Sequence, residues 1–288
     1  MRRTICTQLP RHVFVVIAVV FVGLRLAGVE PWVQSVDAYA YWSTRTGAYY
    51  AASGVGLLGA YLYSPAFAQF LAPISWLPWQ AFVALWTALN VAALWYLVRG
   101  WALLLLLFLP VPFEIISGNV HLLIAVVIVL GFRVPALWAF VVLTKVTPGI
   151  GLVWFAVRRE WRSLGIALAA TVVVVAVSFV LAPGEWPAWI RSLAANAEGP
   201  RATLGWYLPV PLLVRLPLAA VLVAWGGVTD RRWVLPIAVT LALPVVWLNS
   251  LAILVALVPI LRERSAAASV SAGTGGATSE PGLPASAR

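Results

Sequence analysis

Long apolar stretches alternate with short polar breaks along the chain, and the spacing of the breaks predicts the elements. Val13–Ala27 is the first apolar run, and Trp79–Val98 is the next clear one. A helix of about 20 residues spans a bilayer, so both read as membrane helices. Leu164–Leu181 and Leu212–Trp225 follow, and Trp233–Trp247 with Leu251–Leu261 form a last pair that turns at Asn249. Between Arg99 and Arg158 the runs are shorter: Trp101–Leu109, Val120–Gly131, Val134–Leu143 and Gly149–Val157. None of these crosses alone unless flanking residues are recruited or the bilayer thins. The interruptions "PVPFEIISGN" and "TKVTPG" predict non-helical backbone at membrane depth, which is tolerated where it is buried in protein or lines a polar cavity. The alternative for Val134–Val157 is a single Pro-kinked span.

The stretch from Glu30 to Pro78 is too long for a tight turn and too aromatic for a floppy linker. Tyr49, Tyr50, Tyr61, Tyr63, Trp76 and Trp79 carry rings that favour the headgroup region, and Pro65–Ile74 is short for a span. Interfacial helices on one membrane face are expected there. The competing reading makes Tyr61–Leu77 a full span.

Composition removes the soluble alternatives. The chain of 288 residues is 63% hydrophobic and 10% charged, where soluble domains have roughly 45–50% apolar and about 25% charged residues. The net charge of +10 does not point to nucleic acid, because the arginines lie singly or in small groups between apolar runs and read as topology signals. They place the N-terminus, Arg99, Arg133, Arg158–Arg162, Asp230–Arg232 and Arg262–Arg264 in the cytoplasm. Asp37, the "SGN" turn and Lys145 then lie outside. Arg2, Arg3 and Arg11 before the first run also fit a cleavable signal peptide, but no clear A-x-A site follows and an uncleaved helix is expected.

The fold expected is an all-α polytopic membrane protein of roughly ten segments, with a transmembrane domain over 1–264 and its first outer loop at about 29–78. The tail over 265–288 has little to bury and reads as disordered cytoplasmic chain. The basic residues include a single lysine, and Ala, Val, Leu and Gly abound, which suggests a GC-rich bacterium and its plasma membrane. The single cysteine, Cys6, excludes a disulfide or a cysteine metal site within one chain.

By charge parity, Asp37, Arg45, Glu114, His121, Lys145, Arg191 and Glu198 gather at the outer side. Polar groups at the membrane edge are costly and default to functional hypotheses. Asp37 reads as a catalytic base between aromatic residues, or as a solvated loop carboxylate. Lys145, beside Thr144, Thr147 and Pro148, reads as a phosphate contact, or as a snorkelling helix-end residue; Arg45 is a second candidate for the same phosphate. Asn119 and His121 are candidate ligand contacts, or are a turn residue and a buried cap. Tyr39, Tyr41 and Trp42 are candidate stacking residues for a ligand, or anchor in the interface. Glu114 and Glu198 read as structural. The chain has no G-x-x-x-x-G-K-[ST], no H-E-x-x-H and no D-x-D, so an enzyme built from it is expected to use neither metal nor cofactor.

Taken in order, "SVDAYAYW", "YLYSPAFAQFLAPISWLP", "SGNVHLL" and "LTKVTPGIGLVWFAVRREWR" resemble the polyprenyl-phosphate-mannose-dependent mannosyltransferases of glycosyltransferase family 87, in the GT-C superfamily. The resemblance covers about Arg11 to Arg162. It implies a GT-C-like bundle that takes a sugar, mannose in the family, from a polyprenyl-phosphate donor on the extracytoplasmic side. Transfer would go to a lipid or glycan acceptor with inversion at the anomeric carbon. It also implies that Asp37 matches the first-loop general base, Lys145 the Lys of TK-x-x-P, and Gly118 and Asn119 the G-N turn. Broken helices with polar breaks also mark transporters of lipid-linked sugars, but no inverted repeat is visible in the two halves. A non-catalytic membrane scaffold is the third reading.

Overall fold

The computed structural model describes residues 2–28, 35–51, 54, 55, 57, 59–197 and 206–274, with side chains described only between 11 and 265. Glu198, the start of the first outer loop and the tail beyond Thr274 lie outside the described residues. What is described is helical, with one isolated bridge, Tyr207 to Trp247.

Chain order runs α1 (Arg2–Leu26), α2 (Val36–Ser43), α3 (Pro65–Ser75), α4 (Trp79–Val98), α5 (Ala102–Leu105), α6 (Pro110–Ser117), α7 (His121–Leu130), α8 (Trp138–Thr144), α9 (Val153–Val157), α10 (Trp161–Leu181), α11 (Glu185–Ala195), α12 (Leu212–Val228), α13 (Val234–Leu241) and α14 (Leu257–Thr274). The last helix thus carries regular structure past Ser265, where disorder was expected to begin. Short 3₁₀ turns fill several joints, the longest at Leu248–Ala256.

Among the described residues, two helices are long and apolar enough to cross a membrane, Trp79–Leu105 with 27 residues and Trp161–Leu181 with 21. A third crossing results if α6 and α7, bent by 111°, count as one broken span. These crossings alone do not confirm the expected count of roughly ten segments. The reason is local: Pro and Gly split the remaining apolar sequence into pieces such as Pro135–Thr144 and Thr147–Val157, each below spanning length. Helix α3 has 11 residues, about 16 Å at 1.5 Å per residue, so Tyr61–Leu77 is not a full span.

The two long helices occupy different environments. Within its apolar window α4 is 56% buried and α10 only 11%, so α4 forms the centre and α10 the lipid-facing rim. Phe82, Trp86, Leu94 and Leu97 of α4 are buried, and Trp95 stacks on Phe14 of α1 at 5.2 Å. Several of the charged turns make contacts of their own. Arg158 donates to Asp230 at 2.7 Å, Arg133 donates to Glu263 at 3.4 Å, and Arg262 donates to the Val98 carbonyl at 3.3 Å.

Arg215, which the apolar pattern of its helix conceals, sits 3% exposed on α12. Its guanidinium donates to the carbonyls of Val210 at 2.7 Å, Leu241 at 2.6 Å, Leu243 at 2.8 Å and Pro244 at 2.9 Å. Three of these belong to the end of α13 and the turn after it. The last carbonyls of a helix have no partner within it and carry partial negative charge, so the arginine ends α13 inside the protein where water cannot. Arg215→Met is expected to destabilise the fold by about 3 kcal/mol, since each buried carbonyl left unpaired costs about 1–3 kcal/mol. Arg215→Lys should recover only part of the loss; thermal unfolding in detergent micelles measures both.

Candidate active site

The candidate site is assembled where the loop that follows α1 meets the two broken helices. Asp37 stands in the first turn of α2, half-buried. Asn119 comes from the α6–α7 turn, and its side-chain amide lies close enough to the Asp37 carboxylate to favour its ionised form. Asn119 Oδ1 also accepts the Tyr63 hydroxyl at 3.2 Å and the Val120 N–H at 2.8 Å. Lys145 follows α8 in extended backbone, φ −140° and ψ 100°, which is the physical form of the break predicted at "TKVTPG". Its Nζ lies 4.6 Å from the centre of the Tyr63 ring, a cation–π distance. The Ser64 N–H donates to the Leu143 carbonyl at 3.3 Å and ties this break to the first loop. The hydroxyls of Ser64 and Thr147, on either side of that tie, are buried without a hydrogen-bond partner.

The α6–α7 turn owes its shape to Gly118. Its φ is +70°, and a Cβ there would come within 2.7 Å of the Ala38 Cβ and 3.2 Å of Trp86 Cδ1. Only glycine lets the turn approach α2 one residue from Asp37. Trp86 Nε1 donates to the Gly118 carbonyl at 2.6 Å, so the central helix holds the turn from behind. The first N–H groups of α7 would otherwise be orphans. Glu114 Oε1 accepts the His121 N–H at 2.6 Å, while Oε2 lies 2.9 Å from His121 Nδ1 and accepts from Asn249 Nδ2 at 2.9 Å. Asn249 also donates to Ser117 Oγ at 3.1 Å, and Ser250 Oγ is 3.4 Å from His121 Nε2. On the other side of the turn, Arg25 donates to the Ile116 carbonyl at 2.7 Å, as does Ser35 at 3.0 Å.

Asp37, Asn119 and Lys145 therefore come together, with Tyr63 between them. Other candidates stand elsewhere. His121 is 1% exposed with both ring nitrogens facing protein partners, so it braces the turn rather than opening toward a sugar. Tyr41 is fully buried; its hydroxyl donates to Tyr63 at 2.8 Å and its ring meets Tyr63, Phe67 and Trp86 edge-on at 5.1–5.3 Å. It has no free face for stacking. Arg45 lies eight residues from Asp37, about 12 Å along helical backbone, with its guanidinium 3.2 Å above the Trp42 ring. Trp42 in turn donates to the Leu77 carbonyl at 2.8 Å, and Tyr39 packs on Trp42 and Trp79 at 5.8 Å. Arg45, Trp42 and Tyr39 thus form a separate aromatic patch.

Sequence reasoning missed Tyr63, Trp86, Asn249 and Arg25 as parts of this assembly, and placed Glu114 only as structural. Among the described residues no group of three or more His, Cys, Asp or Glu is placed to hold a metal ion.

Asp37, in the loop outside the spans, has its carboxyl raised above the ordinary range by burial, with the Lys145 cation pulling it back down. Gly118→Ala is expected to cost about 2 kcal/mol, because L-residues pay about 1–2 kcal/mol for left-handed backbone and the added methyl also strikes Ala38. Gly100→Ala, where a Cβ meets nothing within 4 Å, is the control with no comparable loss; thermal unfolding compares the two.

Comparison with known proteins adds one finding. The model of glycosyltransferase family 87 matches residues 61–278, which covers most of the chain, reaches well past Arg162 and begins after Asp37. Neither the curated proteins nor the solved structures gave a match. With Tyr63, Asn119 and Lys145 inside the matched region and the broken apolar helices around them, the chain belongs to glycosyltransferase family 87.

Proposed function

We propose that this membrane glycosyltransferase moves a sugar, mannose by family resemblance, from a polyprenyl-phosphate donor to a hydroxyl of a lipid or glycan acceptor on the outer face of a bacterial plasma membrane. The observation that carries the reading is the convergence of Asp37, Asn119 and Lys145 from three separate segments. A half-buried carboxylate and a half-buried cation stand near each other there, with no ion pair between them among the described residues.

In the proposed reaction the acceptor hydroxyl gives its proton to the Asp37 carboxylate as its oxygen attacks the anomeric carbon. The bond from that carbon to the phosphate oxygen breaks on the opposite face, so configuration inverts. The departing polyprenyl phosphate takes the electron pair, and Lys145 supplies the cation for it. Fixed charges in a water-poor site act strongly on developing charge. Asn119 orients the base and keeps it acceptor-side, a second reason for its place in the cluster. The burial that raises the Asp37 carboxyl makes it a stronger base than an exposed aspartate, provided the pH leaves it ionised.

Membranes carrying the protein, supplied with radiolabelled polyprenyl-phosphate-mannose and candidate acceptors, should show transfer that Asp37→Asn lowers on the order of 100- to 10,000-fold at equal protein abundance. Equal transfer by both proteins removes Asp37 as the base; movement of the donor across the bilayer without transfer favours a transporter. A base must be deprotonated to act, so activity falls as pH drops through the Asp37 pKa. Lys145 opposes the rise of that pKa. Lys145→Met should therefore shift the acid limb of the residual rate to higher pH, besides slowing the reaction. Cysteine labelling checks the topology: a site beside Asp37 should react from outside, and one after Arg264 only after permeabilisation.

A further inference from the structure

A second site lies beside the first. A groove of about 480 Å³ runs between the first outer loop and α11, lined by Ala48, Tyr49, Tyr50, Glu185, Arg191 and Ser192 among others. Its volume falls in the roughly 300–1,000 Å³ range of small-molecule pockets. The walls are held together rather than merely adjacent. Trp189 of α11 donates to the Leu62 carbonyl at 3.3 Å, and Asn196 accepts the Val55 N–H at 2.8 Å. The second outer segment is thereby clamped to the first at two points, with the groove alongside.

The lining has its own chemistry. Tyr49 and Tyr50 present aromatic rings, Glu185 an acceptor, and Arg191 a fork of donors. No ion pair joins Glu185 to Arg191 among the described residues. Ser192 is 4% exposed, and its hydroxyl is buried without a hydrogen-bond partner, which leaves a polar group in the wall that nothing in the protein satisfies. A carboxylate beside an arginine disfavours an anion, whereas alternating donors and acceptors next to aromatic faces suit a neutral polyol.

The groove is joined to the reaction centre by a run of packed tyrosines. The Tyr50 hydroxyl donates to the Tyr63 carbonyl at 2.8 Å, and the rings of Tyr50, Tyr61 and Tyr63 follow one another at 5.9 and 5.6 Å. Tyr63 is the residue that touches Asn119 and Lys145. We propose that this groove binds the saccharide portion of the acceptor and delivers its hydroxyl toward Asp37. The inference rests on the glycosyltransferase reading above, because it names the acceptor of that reaction as a glycan or glycolipid recognised by its sugar.

The test uses the full chain in lipid nanodiscs and reads binding separately from turnover. Methyl α-mannobioside is titrated by saturation-transfer NMR, with glycerol phosphate as the anionic competitor. Wild type should bind the disaccharide. Ala188→Trp, which fills the groove from its half-buried wall, and the Glu185→Gln, Arg191→Ala double variant should each weaken binding at least tenfold while their melting temperatures stay near wild type. Asp37→Asn should bind within twofold of wild type though it transfers nothing. The same groove variants should raise the acceptor KM and leave the donor KM unchanged. Undiminished disaccharide binding in both groove variants overturns the site, as does competition by glycerol phosphate as strong as by free disaccharide, or no binding by wild type. Groove-dependent binding by a wild type that transfers no sugar to any acceptor overturns the reaction instead and keeps the saccharide site.

Discussion

A helix that stops inside a bilayer leaves its terminal N–H and C=O groups without water, and each must find a partner in the protein or cost several kcal/mol. This chain stops its helices repeatedly, and side chains from other segments supply the missing partners. Glu114 and Asn119 accept the first N–H groups at α7. Arg215 donates to the carbonyls that end α13. Arg25, Ser35 and Trp86 donate to the carbonyls of Ile116 and Gly118. The polar residues that look anomalous in so apolar a sequence are largely the ones that make broken helices affordable.

The same constraint builds the reaction centre. Because the α6–α7 turn is satisfied from behind by Glu114, Asn249 and Trp86, the Asn119 side chain is free to face Asp37 and Tyr63. Because α8 ends at Lys145 in extended backbone, the ammonium projects over Tyr63 instead of continuing up a helix. A carboxylate and a cation then stand near each other with a tyrosine and an asparagine between them. The groove along α11 adjoins this arrangement through the packed rings of Tyr50, Tyr61 and Tyr63.

Much of this was legible along the chain. The breaks at "SGN" and "TKVTPG" were visible because Pro, Gly and polar residues interrupt apolar runs that are otherwise long enough to cross. Asp37 and Lys145 stood out because ionisable residues are rare here, the first among aromatic residues just after the first apolar run and the second inside a helix break. Arg45, Tyr39, Tyr41, Trp42 and His121 were less well read. Proximity in sequence to Asp37 recommended the aromatic residues, but a helix turns 100° per residue, and Tyr41 consequently faces the core while Trp42 and Arg45 face another patch. His121 follows Asn119 by two residues, which places it on the far side of the turn against Glu114 and Ser250.

The sequence by itself determined the membrane character, the positions where helices break and the family, because hydropathy, Pro/Gly punctuation and motif order are local properties. Which polar residues meet was decided by the tertiary structure alone. Asn249 reaches Glu114 across 135 positions and Arg25 reaches Ile116 across 91, and no local pattern encodes such a pairing. It arises from the packing of helices whose free backbone groups accept any donor or acceptor that the fold brings within reach.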